Sequence, residues 1–169
     1  FSPMLWSTIA TGKYPDKHGI LGFIEPDTAT GAVRPVNSTS RSARALWNIF
    51  TKYGMKSNIV SWWPSQPVEP INGTMVSNFF HKEVAGLNDP WPIAPDSVHP
   101  KSLEKEIEDL RVHPGELTPA HILPFIPNAA NIDQKKDKRL QAFLKELAHA
   151  STTHAVGTHL IENTEWEFT

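Results

Sequence analysis

The stretch RSARALWNIFTKYGMKSNIVSWW, residues 41–63, places a helix, a turn and a strand in immediate succession. Ala43, Leu46, Trp47 and Phe50 recur at i, i+3, i+4 and i+7, the spacing of one helix face, which predicts a helix over 41–53. Ser40 stands where a cap would start it, and Gly54 stands where a left-handed residue would end it. Lys56 to Trp63 follows, rich in β-branched and aromatic residues, and reads as a strand halted by Pro64. Helix, tight glycine turn and apolar strand make one αβ step of a parallel sheet, so the fold class is α/β.

Upstream, SPMLWSTIATG (residues 2–12) predicts a short helix. Ser2 is a good N-cap, Pro3 suits the first helical position, and Gly12 is a natural stop. Leu5 and Ile9 share its apolar face at i, i+4. Lys13 to Asn37 is turn and loop chemistry, with Tyr14-Pro15-Asp16, His18-Gly19 and Glu25-Pro26-Asp27. Downstream, Met75 to Phe80 suits a second strand or an edge segment. From Val84 to Asn131 prolines recur, and this stretch reads as an inserted cap with a short amphipathic helix on Leu103, Ile107 and Leu110. Asp133 to Asn163 predicts a long helix with Leu140, Phe143, Leu144 and Leu147 as its apolar stripe and a lysine-rich solvated face. Trp166 to Thr169 resembles the first residues of a strand. The expected organisation is thus a core part (1–83), an inserted cap (84–131), and a core helix with the next strand (132–169) of one larger domain.

Composition narrows the function classes. The 169 residues hold 16 Lys+Arg against 18 Asp+Glu, a net charge of -2, without the concentrated basic charge that nucleic acid or an anionic membrane surface requires. With no Cys there are no disulfides, Cys-zinc sites, iron–sulfur clusters or thiol nucleophiles. Both reducing and oxidising compartments hold such proteins, so cytoplasmic and periplasmic locations stay equally open. Six Trp and eight Phe within a 39% hydrophobic chain argue for a packed core. No apolar run approaches the ~20 residues of a membrane-spanning helix. The 15 prolines exceed the usual ~5%. The chain opens on Phe1 and is expected to be a fragment of a longer protein.

Among residues able to carry chemistry, the eight histidines point away from a metal cluster. His149, His154 and His159 recur every five residues, a rotation of about 140° per step on a helix, so neighbours diverge. His81, His99, His113 and His121 sit in loop-like sequence suited to surface or capping roles. Ser2 at a helix start would lie among free backbone N–H groups, a setting that favours anions and could make its hydroxyl a nucleophile toward a phosphoryl group. The same pattern fits a plain structural cap. Neither GxSxG nor GxGxxG occurs. Asn37-Ser38-Thr39 and Asn72-Gly73-Thr74 match the glycosylation sequon, a match too common to carry weight.

Residues 1–23, FSPMLWSTIATGKYPDKHGILGF, resemble the alkaline phosphatase superfamily, and within it the type I phosphodiesterase/nucleotide pyrophosphatase branch. The resemblance rests on Ser2-Pro3, Leu5-Trp6, Thr11-Gly12 and Pro15-Asp16-Lys17-His18-Gly19-Ile20 in order and spacing. Residues 61–80 and 110–127 also resemble a bacterial group of that superfamily. The resemblance implies an α/β/α sandwich with a mainly parallel sheet, here partial and carrying a proline-rich helical insert. It implies two divalent metal ions, zinc or else manganese, at the carboxyl ends of strands. Ser2 matches the nucleophile, a ligand of one metal that forms a phospho-enzyme intermediate on a small phosphate ester. The family's other metal ligands fall upstream and downstream of these residues. His18 belongs to the matched motif without being a metal ligand there, and is expected to order the turn after the helix. Trp62, Trp63 and Asn72 are candidates for the substrate side, or for packing of cap on core.

The expectation is therefore a metal-dependent phosphodiesterase or phosphatase, inactive as this fragment alone. A sulfatase or phosphomutase of the same fold is the nearest alternative, although Ser2-Pro3-Met4-Leu5-Trp6 lacks the arginine of the sulfatase pattern. A non-catalytic binding module that keeps the fold is the alternative from another class.

Overall fold

The computed structural model describes residues 2–82 and 88–169. In chain order its named elements are α1 (Ser2–Thr11), α2 (Pro15–His18), β1 (Ile24–Pro26), β2 (Val33–Pro35), α3 (Leu46–Lys52), β3 (Ser57–Val60), β4 (Gly73–Val76), β5 (Val98–His99), α4 (Glu104–Ile107), α5 (Pro119–Ile122) and α6 (Arg139–Asn163). Short 3-10 turns lie between several of them. β1 and β2 form a small antiparallel hairpin. β3 and β4 run parallel, and β5 is antiparallel to β4. Phe168 adds an isolated parallel bridge on the far side of Ser57. The sheet is therefore small and mixed, and the α/β class holds.

Alternation along the strands divides the core into two layers, because successive side chains of a strand leave by opposite faces. Met75 and Ile59 join Ala10, Ala45, Trp47 and Ile71 on the side of α1 and α3. Val76 joins Phe80, Val98, Leu103, Ile107, Val156 and Leu160 on the side of α4 and α6, with Val60 packed against them. Within the proline-rich stretch, β5 and α4 thus contribute buried residues to this second layer. Residues 114–138 hold short turns with Leu123 and Phe125 exposed. The expected boundary between 83 and 84 lies outside the described residues.

Three expectations change. The helix foreseen over 41–53 spans only Leu46–Lys52. Its start is set by the Asn48 side chain, which accepts the Ala45 N–H at 2.8 Å. Arg41 is held outside it, donating to Ala43 O and forming a two-pronged pair with Glu69 at 2.7 and 2.8 Å. In α1, Leu5 and Ile9 are exposed, and the buried stripe is Pro3, Ser7, Ala10 and Thr11. Ala10 joins Ile59 and Met75 in the core layer on that side, and Thr11 returns its hydroxyl to Ser7 O at 2.7 Å. Finally, α6 begins at Arg139, where Asp137 accepts that residue's N–H, rather than at Asp133. Its buried stripe is Ala148, Thr152, Val156 and Leu160, while Leu140 to Leu147 are half-buried or exposed.

His18 ties α1 to the turn that follows it. The ring is fully buried. Nδ1 accepts the Ile20 N–H at 3.1 Å, so Nε2 carries the ring proton and donates to Thr8 Oγ1 at 3.1 Å. The Thr8 hydroxyl donates onward to Met4 O at 3.0 Å. Burial pushes the His18 pKa below its ordinary value, outweighing the Met4 carbonyl and other groups that favour the charged ring. A histidine with a lowered folded pKa stabilises the fold fully above its unfolded pKa of about 6.5 and loses that contribution as pH falls toward the folded value. Urea midpoints of the intact protein should therefore fall from pH 7 to pH 5 more steeply for the parent than for His18→Gln. Parallel slopes would remove His18 from the acid sensitivity.

Candidate functional site

A cavity of about 830 Å³ opens beside the start of α1. Ser2 and Trp6, four residues apart on one helix face, form one wall. Val60, Ser61, Trp62 and Trp63, at the carboxyl end of β3, form the second. Asn78 and His81 come from the segment after β4, and Glu146 and His149 from α6. Parallel β3 and β4 both end here, which is where α/β sheets commonly place ligands.

The aromatic wall is built from the core outward. Glu69 accepts the Trp47 indole N–H as well as the Arg41 pair. Trp47 meets Trp62 edge-on at 5.7 Å, and Trp62 meets Trp6 edge-on at 5.1 Å. Such contacts fix ring orientation and contribute about 1 kcal/mol each beyond area burial. Phe23 leans on Trp63 at 5.3 Å. Ser61 turns the chain out of β3 with φ +53°, and its hydroxyl meets Thr153 Oγ1 at 3.0 Å. The Trp62 indole N–H is buried and has no hydrogen-bond partner among the described residues.

Of the residues picked out from the sequence, Ser2, Trp62 and Trp63 are brought together here, and Asn72 is not. Asn72 Nδ2 donates to Gly54 O at 2.8 Å, and its backbone N–H donates to Thr51 Oγ1 at 2.9 Å. It closes the turn after α3. Ser2 is the first residue of α1 rather than a residue before it, is exposed, and has no hydrogen-bond partner for its hydroxyl among the described residues.

Sequence reasoning missed the histidine wall. His81 and His149 stack with ring centroids 3.3 Å apart and planes 10° from parallel. The three helical histidines do go to different places: His149 to this stack, His154 to the exposed surface, and His159 to Glu106 at 2.8 Å. Glu146 and His149 share a helix face at i, i+3, a signal the sequence does carry. The pairing with His81 is non-local and leaves no such mark.

A metal centre was tested against these groups. No group of three or more His, Asp or Glu side chains among the described residues is placed to hold an ion. His81 and His149 do not fit a shared ion, because imidazole lone pairs lie in the ring plane and two stacked planes have no common in-plane point. The described residues do not fit a two-metal centre by themselves.

No described helix is long and apolar enough to cross a membrane. The family model of type I phosphodiesterase / nucleotide pyrophosphatase matches residues 1–168. No curated protein and no solved structure gives a significant match.

Proposed function

The chain belongs to the type I phosphodiesterase / nucleotide pyrophosphatase family, and on that premise we propose that Ser2 is the nucleophile of a phosphoric ester hydrolase. The family acts on small phosphate esters, which sets the enzyme class. The observation that carries the finer reading is the Ser2 hydroxyl at the start of α1, without a hydrogen-bond partner among the described residues, on the wall of an aromatic-lined cavity. Backbone N–H groups of the first turn have no intrahelical partners and favour an anion beside Ser2. Ser2 Oγ attacks phosphorus, the P–O bond to the leaving alcohol breaks, and the hydroxyl proton ends on that alcohol. Water then cleaves the phosphoserine ester, restoring the hydroxyl and releasing the phosphate product. Trp62 and Trp63 bound the substrate side.

Metal dependence is part of this proposal. Ser2 supplies one donor, and the other donors lie outside these 169 residues, so this chain alone is proposed to be inactive. Divalent ions, zinc or manganese, would supply charge neutralisation at the reacting oxygens. In this reading residues 1–83 and 132–169 are parts of one larger catalytic domain of α/β/α type, with 84–131 inserted between them and joined to the core through β5 and α4.

The test is turnover by the intact protein with zinc or manganese on bis(p-nitrophenyl) phosphate, p-nitrophenyl phosphate and p-nitrophenyl sulfate. Phosphate ester hydrolysis that chelator abolishes and added metal restores is the expected result. Sulfate turnover alone would move the protein to the sulfatase alternative, and binding without turnover of any ester would make it a non-catalytic module.

A further inference from the structure

We propose that His18 and Thr8 are positioning residues that fix the first turn of α1, and with it Ser2, for attack; this rests on Ser2 being the nucleophile. Thr8 lies about one and two-thirds turns beyond Ser2, and the carbonyl it holds belongs to Met4, in the same first turn as Ser2. The relay has a fixed direction. Ile20 N–H occupies Nδ1, which forces the proton onto Nε2, which makes Thr8 Oγ1 an acceptor, which leaves the Thr8 hydrogen for Met4 O. Each bond therefore specifies the next, and the buried ring has no freedom to turn without leaving a polar atom unpaired. The backbone that carries the ring is anchored from the other side. His18 O accepts the Ser42 N–H at 3.0 Å, and Lys17 O accepts the Ser42 hydroxyl at 3.1 Å.

This anchorage matters because the other contacts of the first turns of α1 among the described residues, the buried Pro3 and the edge-on Trp6–Trp62 pair, are apolar. Its cavity face, with Ser2 and Trp6, is largely exposed, and its buried stripe is Pro3, Ser7, Ala10 and Thr11. A polar relay into the first turn supplies the directional constraint that apolar contacts do not. Displacing a nucleophile by about 1 Å can cost about 100-fold in rate while leaving substrate binding nearly intact.

The experiment uses the intact protein with Thr8→Val, Thr8→Ser, His18→Gln and His18→Asn. Thr8→Val keeps the volume and loses the hydroxyl, so kcat should fall about 10- to 100-fold with KM within about 3-fold. Thr8→Ser restores the hydroxyl and should restore kcat. His18→Gln keeps a donor that reaches Thr8, and His18→Asn keeps only an acceptor for Ile20, so Gln should retain more kcat than Asn. Amide exchange over residues 2–8 provides a readout independent of turnover, and Thr8→Val should exchange faster there than Thr8→Ser. Equal kcat and equal exchange for Thr8→Val and Thr8→Ser would overturn the proposal. So would a kcat loss in Thr8→Val that Thr8→Ser does not rescue. If Thr8→Val fails to fold, the order of Gln and Asn decides, and equal values overturn it. If the parent hydrolyses no ester, the functional reading falls, and the exchange data alone judge the anchorage.

Discussion

Ser2→Ala in the intact protein is expected to lower turnover at least about 1000-fold while leaving the melting curve nearly unchanged. A cap residue would behave otherwise, since losing a serine cap typically costs about 1 kcal/mol. Here the helix includes Ser2, and its exposed hydroxyl has no partner among the described residues, so little stability is at stake. The change should stay within about 0.5 kcal/mol, the range of ordinary surface substitutions. Ser2→Thr keeps an attacking hydroxyl and should retain substantial activity. Ser2→Asn can still bond the first turn but cannot form the phosphoryl ester, so it should be as stable as the parent and almost inactive. Hydrolysis of phosphodiester and phosphomonoester substrates with added zinc or manganese, beside thermal melts, reads both quantities. Normal turnover by the Asn variant would show that Ser2 is structural and end the nucleophile assignment.

The parts of this molecule visible in the sequence are those set by short-range physics. Gly54 ends α3 at φ +75°, and the strand follows three residues later, because turn chemistry and apolar spacing act over a few residues. Ser2, Trp62 and Trp63, which a motif and a place after a strand single out, line one cavity. What was missed depends on packing chosen elsewhere. α1 turns Leu5 and Ile9 outward and buries the Pro3–Ser7–Ala10–Thr11 stripe, and no local rule ranks those two faces. α3 starts late because Asn48 accepts the Ala45 N–H and Arg41 is drawn away to Glu69, which belongs to a loop beyond the next strand. Asn72 looked like a substrate residue but spends its amide on Gly54 O. The histidine stack needs the segment after β4 to meet α6, a tertiary event with no periodicity to announce it.

Gly73→Ala is expected to destabilise the intact protein by about 3 kcal/mol or more, against about 1 kcal/mol for Gly54→Ala. Both glycines have positive φ, +127° and +75°, so both substitutions carry backbone strain. Their surroundings differ. A Cβ at Gly54 meets nothing within 4 Å. A Cβ at Gly73 would lie 2.2 Å from Ser57 O, 2.7 Å from Ser57 N and 2.9 Å from Ser57 C. These are backbone atoms, so no rotamer change relieves the clash, and the strands must separate. Ser57 is fully buried, its N–H is bonded to Asn72 O at 3.0 Å, and Gly73 is its register partner. The separation therefore starts at the first pair of the parallel ladder. It propagates to Met75 and Val76, which serve the two core layers on opposite faces of the sheet. It also shifts β3, whose carboxyl end carries Ser61, Trp62 and Trp63 into the cavity, so turnover should fall together with stability. Urea denaturation of the parent and the two variants reads the difference. Equal losses at both positions would mean that the close approach of Gly73 to Ser57 does not constrain the fold, and that strain in φ alone accounts for both glycines.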